Sequence, residues 1–232
     1  TEIYTLSLHD ALPISYITYA PDLAIPGAKD AIQAFVQKAK RHGVKRLVLL
    51  SGRGEEEAQA CERIVQDSGL EWTVVRASWF NQNFSEGAFV DMVLNGAITL
   101  PAGDQVEPFV GVDDIADVAA AVLMQDHHNG EIYEVTGPRL MSMADIAADL
   151  SQATGRTIAY VNVPHDAFVA EIANSGAPKE VTWMLDYLFA TVLDGRNAHL
   201  TDGVARALGR PPKDFAAYAR DVARTGIWKV AA

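Results

Sequence analysis

The sequence predicts an α/β fold: a parallel sheet covered on both faces by helices, followed by a smaller helical lobe. Three observations predict it. From residue 16 onward, short apolar runs alternate with amphipathic stretches of helical period. The runs KRLVLLS and EWTVVRAS are almost continuously apolar, as parallel strands buried on both faces are, instead of alternating as half-solvated antiparallel strands do. Beyond Pro164 the chain reads as helix throughout.

The opening TEIYTLSLHDALPIS makes a poor fold element, because a β-like run meets His9, Asp10 and Pro13 without turn chemistry before the next apolar run. Back-translated, residues 1–14 resemble, codon for codon, a common short-read sequencing adapter, and a dangling T begins a serine codon for Ser15. Residues 1–15 are therefore set aside as an adapter-derived segment, and the natural sequence is expected to begin near Tyr16 with its own N-terminal part missing.

YITYAP then reads as a strand. GAKDAIQAFVQKAKRHG is a helix with Ile32, Phe35, Val36 and Ala39 on one face and Gly43 as its stop. KRLVLLS is a strand ending at Ser51, EEEAQACERIVQDSG a helix closed by Gly69, and EWTVVRAS the next strand. VEPFVGVDDIADVAAAVLMQ joins a short strand to a helix, with Asp113 and Asp114 suited to its N-cap and to the positive end of its dipole. GEIYEVTGP is a strand, MSMADIAADLSQATG a helix capped by Ser142, and TIAYVNVP a strand. Three helical stretches close the chain: HDAFVAEIANSG, PKEVTWMLDYLFATVLDG and PKDFAAYARDVARTG. A shift in composition between residues 135 and 164 places the division between a core, 16–135, and a mixed α/β to helical lobe, 136–232.

With 49% hydrophobic residues the chain has enough apolar content for a packed globule. A net charge of −11 without a basic cluster argues against nucleic-acid and anionic-membrane partners, and no apolar run is long enough to span a bilayer. The single cysteine, Cys61, lies within a helical stretch; it cannot form an internal disulfide, so a packing role and a reducing, cytoplasmic setting are expected. His127 and His128 sit in a turn with no partner at zinc spacing, so no metal is expected. Ser51 lacks the glycines that flank a hydrolase nucleophile.

In an open parallel sheet, ligands bind outside the carboxyl ends of the strands. Here that rule selects residues 19–22, 51–54 and 76–83. TYAPD after a strand, VKRLVLLSG, WTVVRASWFNQNFSEG, EPFVGVDDIADVAAAVL and GEIYEVTGP, in that order, resemble the NmrA-like group of atypical short-chain dehydrogenases/reductases, over residues 16–228. The resemblance implies a Rossmann-like, doubly wound sheet, here N-terminally truncated, with a C-terminal helical lobe. It also implies an NAD(P)H-dependent oxidoreductase, using NADP or NAD, that passes hydride to a small acceptor such as a quinone. The other activity in the same group is a non-catalytic NAD(P)-sensing regulator.

By the same resemblance Tyr19, Ala20 and Pro21 would lie along the cofactor, Ser51 near the nicotinamide ribose, and Arg76, Ala77 and Ser78 beside the nicotinamide. Trp79, Phe80 and Asn83 would wall the substrate site. From the residues alone, Trp79 and Phe80 also suit a core, Asn83 a turn or cap, and Arg76 a salt bridge in the sheet. The family's glycine-rich pyrophosphate turn is absent. Gly52-Arg53-Gly54 does not replace it, because no third glycine follows and Glu55, Glu56 and Glu57 put carboxylates where phosphate would sit. The Tyr-x-x-x-Lys pair of typical short-chain dehydrogenases is also missing from EEEAQACERIVQDSG, which leaves the catalytic residue unassigned and favours direct hydride transfer, where orientation supplies much of the catalysis.

Overall fold

In the computed structural model, residues 3–4 and 14–230 are described. They form two compact units.

The first unit comprises the described residues up to Ala77, with Ile115–Val135 and Asp202–Arg210. Its sheet runs β1 (Ile3–Tyr4), β2 (Ile14–Tyr19), β3 (Arg46–Gly52), β4 (Glu71–Ala77) and β7 (Glu131–Val135), in the order β1-β2-β3-β4-β7. The last four are parallel, with Ile17 opposite Leu49, Leu49 opposite Val74 and Val74 opposite Ile132. Leu47, Val48 and Leu49 are fully buried in succession, as are Val74 and Val75, so both sheet faces are covered. Each such side chain contributes about 1.5–3 kcal/mol by leaving water.

β2 starts at Ile14, so Ile14 and Ser15, set aside with the adapter-like segment, pair with Arg46 and Leu47. A ladder bonds backbone to backbone and accepts them without regard to origin. Ile3–Tyr4 pairs antiparallel with Thr18 and Tyr19, while residues 5–13 of that segment lie outside the described residues.

Helix α1 (Ala28–Arg41) buries Ala28, Ile32, Val36 and Ala39, the apolar face expected from its spacing, with Phe35 half-buried beside it. Helix α2 (Glu56–Gln66) buries Ala58, Cys61, Glu62 and Val65. Burial pushes the Cys61 thiol up to about 11, in keeping with a packing role. From Ile115 on, α4 (Val112–Met124) belongs to this unit. A short helix that the sequence reading passed over, α8 (Gly203–Leu208), packs on β7. A Cβ on Gly203 would fall 2.1 Å from the Glu134 carbonyl oxygen, so the approach requires glycine.

The second unit gathers Ser78–Asp114, Thr136–Thr201 and the residues from Pro211 on. It is thus discontinuous, whereas the sequence placed one division at 135; compositional drift along a chain cannot register a unit assembled from three segments. It contains α3 (Val90–Asn95), α5 (Met143–Thr154), α6 (His165–Asn174), α7 (Lys179–Tyr187) and α9 (Phe215–Thr225). Two small ladders join them: β5 (Ala97–Leu100) parallel to β9 (Ala159–Asn162), and β6 (Val106–Glu107) antiparallel to β8 (Met141–Ser142). Phe84, Ile98, Leu100, Met141, Met143, Ile146, Leu150 and Phe215 form its core. Ser142 caps α5 as expected, in a reciprocal capping box with Asp145. Asp113 and Asp114 are not caps: α4 starts at Val112, whose amide donates to Gln82 Oε1, which leaves both aspartates in the first turn.

Candidate functional site

The carboxyl ends of β2, β3, β4 and β7 carry a buried polar cluster in the first unit. The registers put Ser51, Arg76 and Glu134 opposite one another on three successive strands. Glu62, on the face of α2 turned to the sheet and 1% exposed, accepts from Ser51 Oγ at 2.7 Å and from Arg76 Nε at 2.9 Å. The Arg76 guanidinium also donates through Nη2 to Glu62 and through Nη1 to Glu134. The hydrogen bond to Glu62, foremost, raises the Arg76 pKa further and fixes the charge. Arg53, 4% exposed, ion-pairs with Glu134 at 3.4 Å, and its backbone amide donates to the Ala77 carbonyl.

Of the residues expected along the cofactor, Ala20 and Pro21 are exposed, Tyr19 is half-buried, and Ser51 and Ala77 are buried at the strand ends. Arg76 is held by two carboxylates, the salt-bridge alternative for this residue. Asp22 closes the turn after β2 by accepting from the Ala24 amide at 2.8 Å.

Glu55, Glu56 and Glu57 stand together in the sequence at the start of α2 but do not share one environment. Glu56 and Glu57 are exposed in the first turn of α2. Glu55 precedes it with extended backbone (φ −102, ψ 114) and is only 6% exposed. Its carboxyl folds back over the end of β3, so that a Cβ on Gly52 would come within 2.3 Å of Glu55 Oε1. Among the described residues, Glu55 Oε2 has no hydrogen-bond partner. Burial first, then the charge and hydrogen bond of Asp22 and the charge of Glu62, push the Glu55 carboxyl up to about 9, so it is neutral near pH 7. Glycine two residues after the last β3 apolar residue was the available signal, since only a residue without a side chain leaves room for the carboxyl.

In the second unit, Ser78 is buried and donates to Glu107 at 3.3 Å. Trp79 packs against Phe89, Phe109 and Phe189, with ring centroids 6.4, 6.3 and 5.3 Å away. Phe80 is bridged to Val110. Asn83 lies in a 3₁₀ turn (Asn81–Phe84); its amide donates to the Phe80 carbonyl and its carbonyl accepts from the Phe89 amide. Asn81, which no sequence motif singles out, is fully buried, and among the described residues neither polar atom of its side chain has a partner.

The expected cofactor residues other than Ser78 thus fall in one unit, and Ser78 with the expected substrate residues in the other. His128 lies in the 3₁₀ turn (Asp126–His128) between α4 and β7, as expected, and is 1% exposed, with Nδ1 2.6 Å from the Tyr133 hydroxyl; burial lowers its pKa. Among the described residues no His, Cys, Asp and Glu cluster could hold a metal ion, and no helix is long and apolar enough to cross a membrane.

Residues 56–208 match the model of the NmrA-like family. The chain is similar to the NAD(P)H azoreductase of Xenophilus azovorans, 30% identical over 207 residues, covering 84% of this chain and 72% of that protein. It is similar to quinone oxidoreductase 2 of Escherichia coli (strain K12), 27% identical over 159 residues, covering 65% and 55% of the two chains. Among solved structures, the NADPH complex of that E. coli quinone oxidoreductase superposes with a TM-score of 0.77 at 21% identity, covering 90% of this chain and 75% of that one. The chain thus spans only part of the length of these curated relatives, 72% of the azoreductase and 55% of the quinone oxidoreductase.

Proposed function

The chain belongs to the NmrA-like family, and from that premise we propose that its gene product is an NAD(P)H-dependent oxidoreductase that passes hydride to a small planar acceptor of the quinone or azo class. The observation that carries the reading is the likeness to an NAD(P)H azoreductase over 84% of the chain. When bound, the cofactor supplies the hydride.

The described residues suit its nicotinamide and ribose end. Ser51 and the neutral Glu55 carboxyl offer hydrogen-bonding groups at the end of β3, and the Tyr19-Ala20-Pro21 segment leaves exposed chain at the end of β2. They do not supply a pyrophosphate cradle, since Arg53 and Arg76 are engaged by Glu134 and Glu62. Within the second unit, Trp79, Phe80 and Asn83 offer aromatic faces and an amide, groups suited to a flat polar-edged molecule.

We also infer, from the codon correspondence, that residues 1–14 derive from a sequencing adapter and that the pyrophosphate-binding segment is encoded upstream. Reading the genomic sequence 5′ of the Tyr16 codon tests this: a glycine-rich strand–turn–helix in frame supports it, and the adapter-like codons in the genome contradict it. For the activity, the full-length gene product is assayed with NADPH and NADH against a panel of quinones and azo dyes. Turnover with either cofactor supports the proposal; cofactor binding without turnover favours a sensor.

A further inference from the structure

We propose that Glu55 is the proton donor of this protein, completing the reduction of acceptors whose hydride adduct is an oxygen or nitrogen anion, with Asp22 as the carboxylate that positions its proton. The inference rests on the oxidoreductase reading above and assigns the acid that the missing Tyr-x-x-x-Lys pair leaves open.

Geometry carries it. Glu55 is drawn in over Gly52 at the carboxyl end of β3, where parallel sheets bind ligands, instead of pointing to solvent with Glu56 and Glu57. It is 6% exposed, and among the described residues its Oε2 has no hydrogen-bond partner. A buried polar atom left unpaired costs roughly 1–3 kcal/mol, and a ligand atom placed there would recover it. The groups that face it are Asp22 after β2 and Glu62 on α2; Arg76 of β4 is bonded to Glu62. Glu57 of α2 and Lys29 of α1 act on the neighbouring Cys61. The carboxyl, pushed up to about 9, therefore holds its proton near neutral pH.

With NADPH or NADH bound, the cofactor would supply a hydride to the acceptor, and the acceptor's oxygen or nitrogen would then carry the electron pair that takes up a proton. The Glu55 O–H bond breaks, its electron pair stays on the carboxylate, and the proton forms the new O–H or N–H bond. The resulting Glu55 carboxylate, beside Asp22 and Glu62, is unfavourable and takes a proton back from water.

The test compares the full-length protein with its Glu55→Gln variant on two acceptors, a quinone and a cationic triphenylmethane dye. The dye is a carbocation that hydride alone neutralises, so it needs no proton. The expected result is that E55Q loses at least about a hundredfold in kcat on the quinone while staying within about threefold on the dye. Equal rates for variant and wild type on both acceptors, or loss on both, overturn the role of Glu55 and leave the oxidoreductase reading standing. Reduction of neither acceptor by the wild type overturns that reading and this proposal with it.

A second readout needs no cofactor. In ¹³C-carboxyl NMR of the unliganded protein, the resonance that E55Q removes should titrate with a midpoint of about 9, and Asp22→Asn should lower that midpoint. Titration of Glu55 alongside the exposed glutamates, or a midpoint indifferent to D22N, overturns the proposal.

Discussion

Replacing Glu55 by Gln should change how this chain's stability depends on pH. In the folded chain the carboxyl is raised to about 9 from its ordinary 4.5. Between those values the unfolded chain has released the proton and the folded chain retains it. The stabilisation is therefore complete below the unfolded value and is lost, at about 1.4 kcal/mol per pH unit, as pH climbs toward the folded one. Gln carries no charge at any pH and fills nearly the same volume, so the variant lacks this slope. Between about pH 5 and about pH 7 the stability of E55Q relative to wild type should thus rise by about 3 kcal/mol. Urea unfolding of both proteins at several pH values measures it, because ΔG extrapolates linearly to water. A difference that stays constant across that range would refute the buried, neutral carboxyl.

Removing the guanidinium by Arg76→Met leaves Glu62, 1% exposed, without its ion-pair partner, which should cost about 3–5 kcal/mol in urea unfolding. Adding Glu62→Leu should return much of that loss, because the orphaned carboxyl is gone; a double variant no better than R76M would show that the pair acts through packing. Ser142→Ala breaks the capping box of α5 and should cost about 1 kcal/mol, read as a lowered melting temperature. In the full-length protein, Asn83→Ala should raise KM or lower kcat for the quinone with little change in melting temperature. Unchanged kinetics with a lower melting temperature would assign Asn83 to its 3₁₀ turn alone.

The main sheet was legible because KRLVLLS and EWTVVRAS are apolar without alternation, a pattern that a doubly covered strand needs and little else produces. Ser142 was legible because a capping box is local, its two bonds lying within four residues. What the sequence hid was non-local. Ladders as short as Val106–Glu107 with Met141–Ser142 hold through backbone bonds between segments far apart in the chain, and two residues carry no period. Helix α8 is six residues long and owes its place to Gly203 against Glu134, a contact across some seventy positions.

At the candidate site the strand ends were found by topology, but the state of each side chain there depends on partners from other elements. Arg76 reads equally as a cofactor contact or an ion pair until Glu62 and Glu134 are seen around it. Glu55 looks like its two exposed neighbours until Gly52 and Asp22 give it somewhere to turn. His128 is a turn residue as its sequence context suggests, but its burial follows from the Tyr133 hydroxyl and the Thr73 bond to its carbonyl, which lie on other elements.

Hydride transfer from a nicotinamide cofactor to a small acceptor can be followed in a single turnover. The full-length protein is mixed without oxygen with NADPH deuterated at the transferring C4 position, in the presence or absence of a quinone. One nicotinamide should be oxidised per quinone reduced, only when quinone is present, and at a rate slowed by a primary deuterium isotope effect. Cofactor that binds but stays reduced in the presence of every acceptor, or that is oxidised at the same rate without one, would contradict hydride transfer.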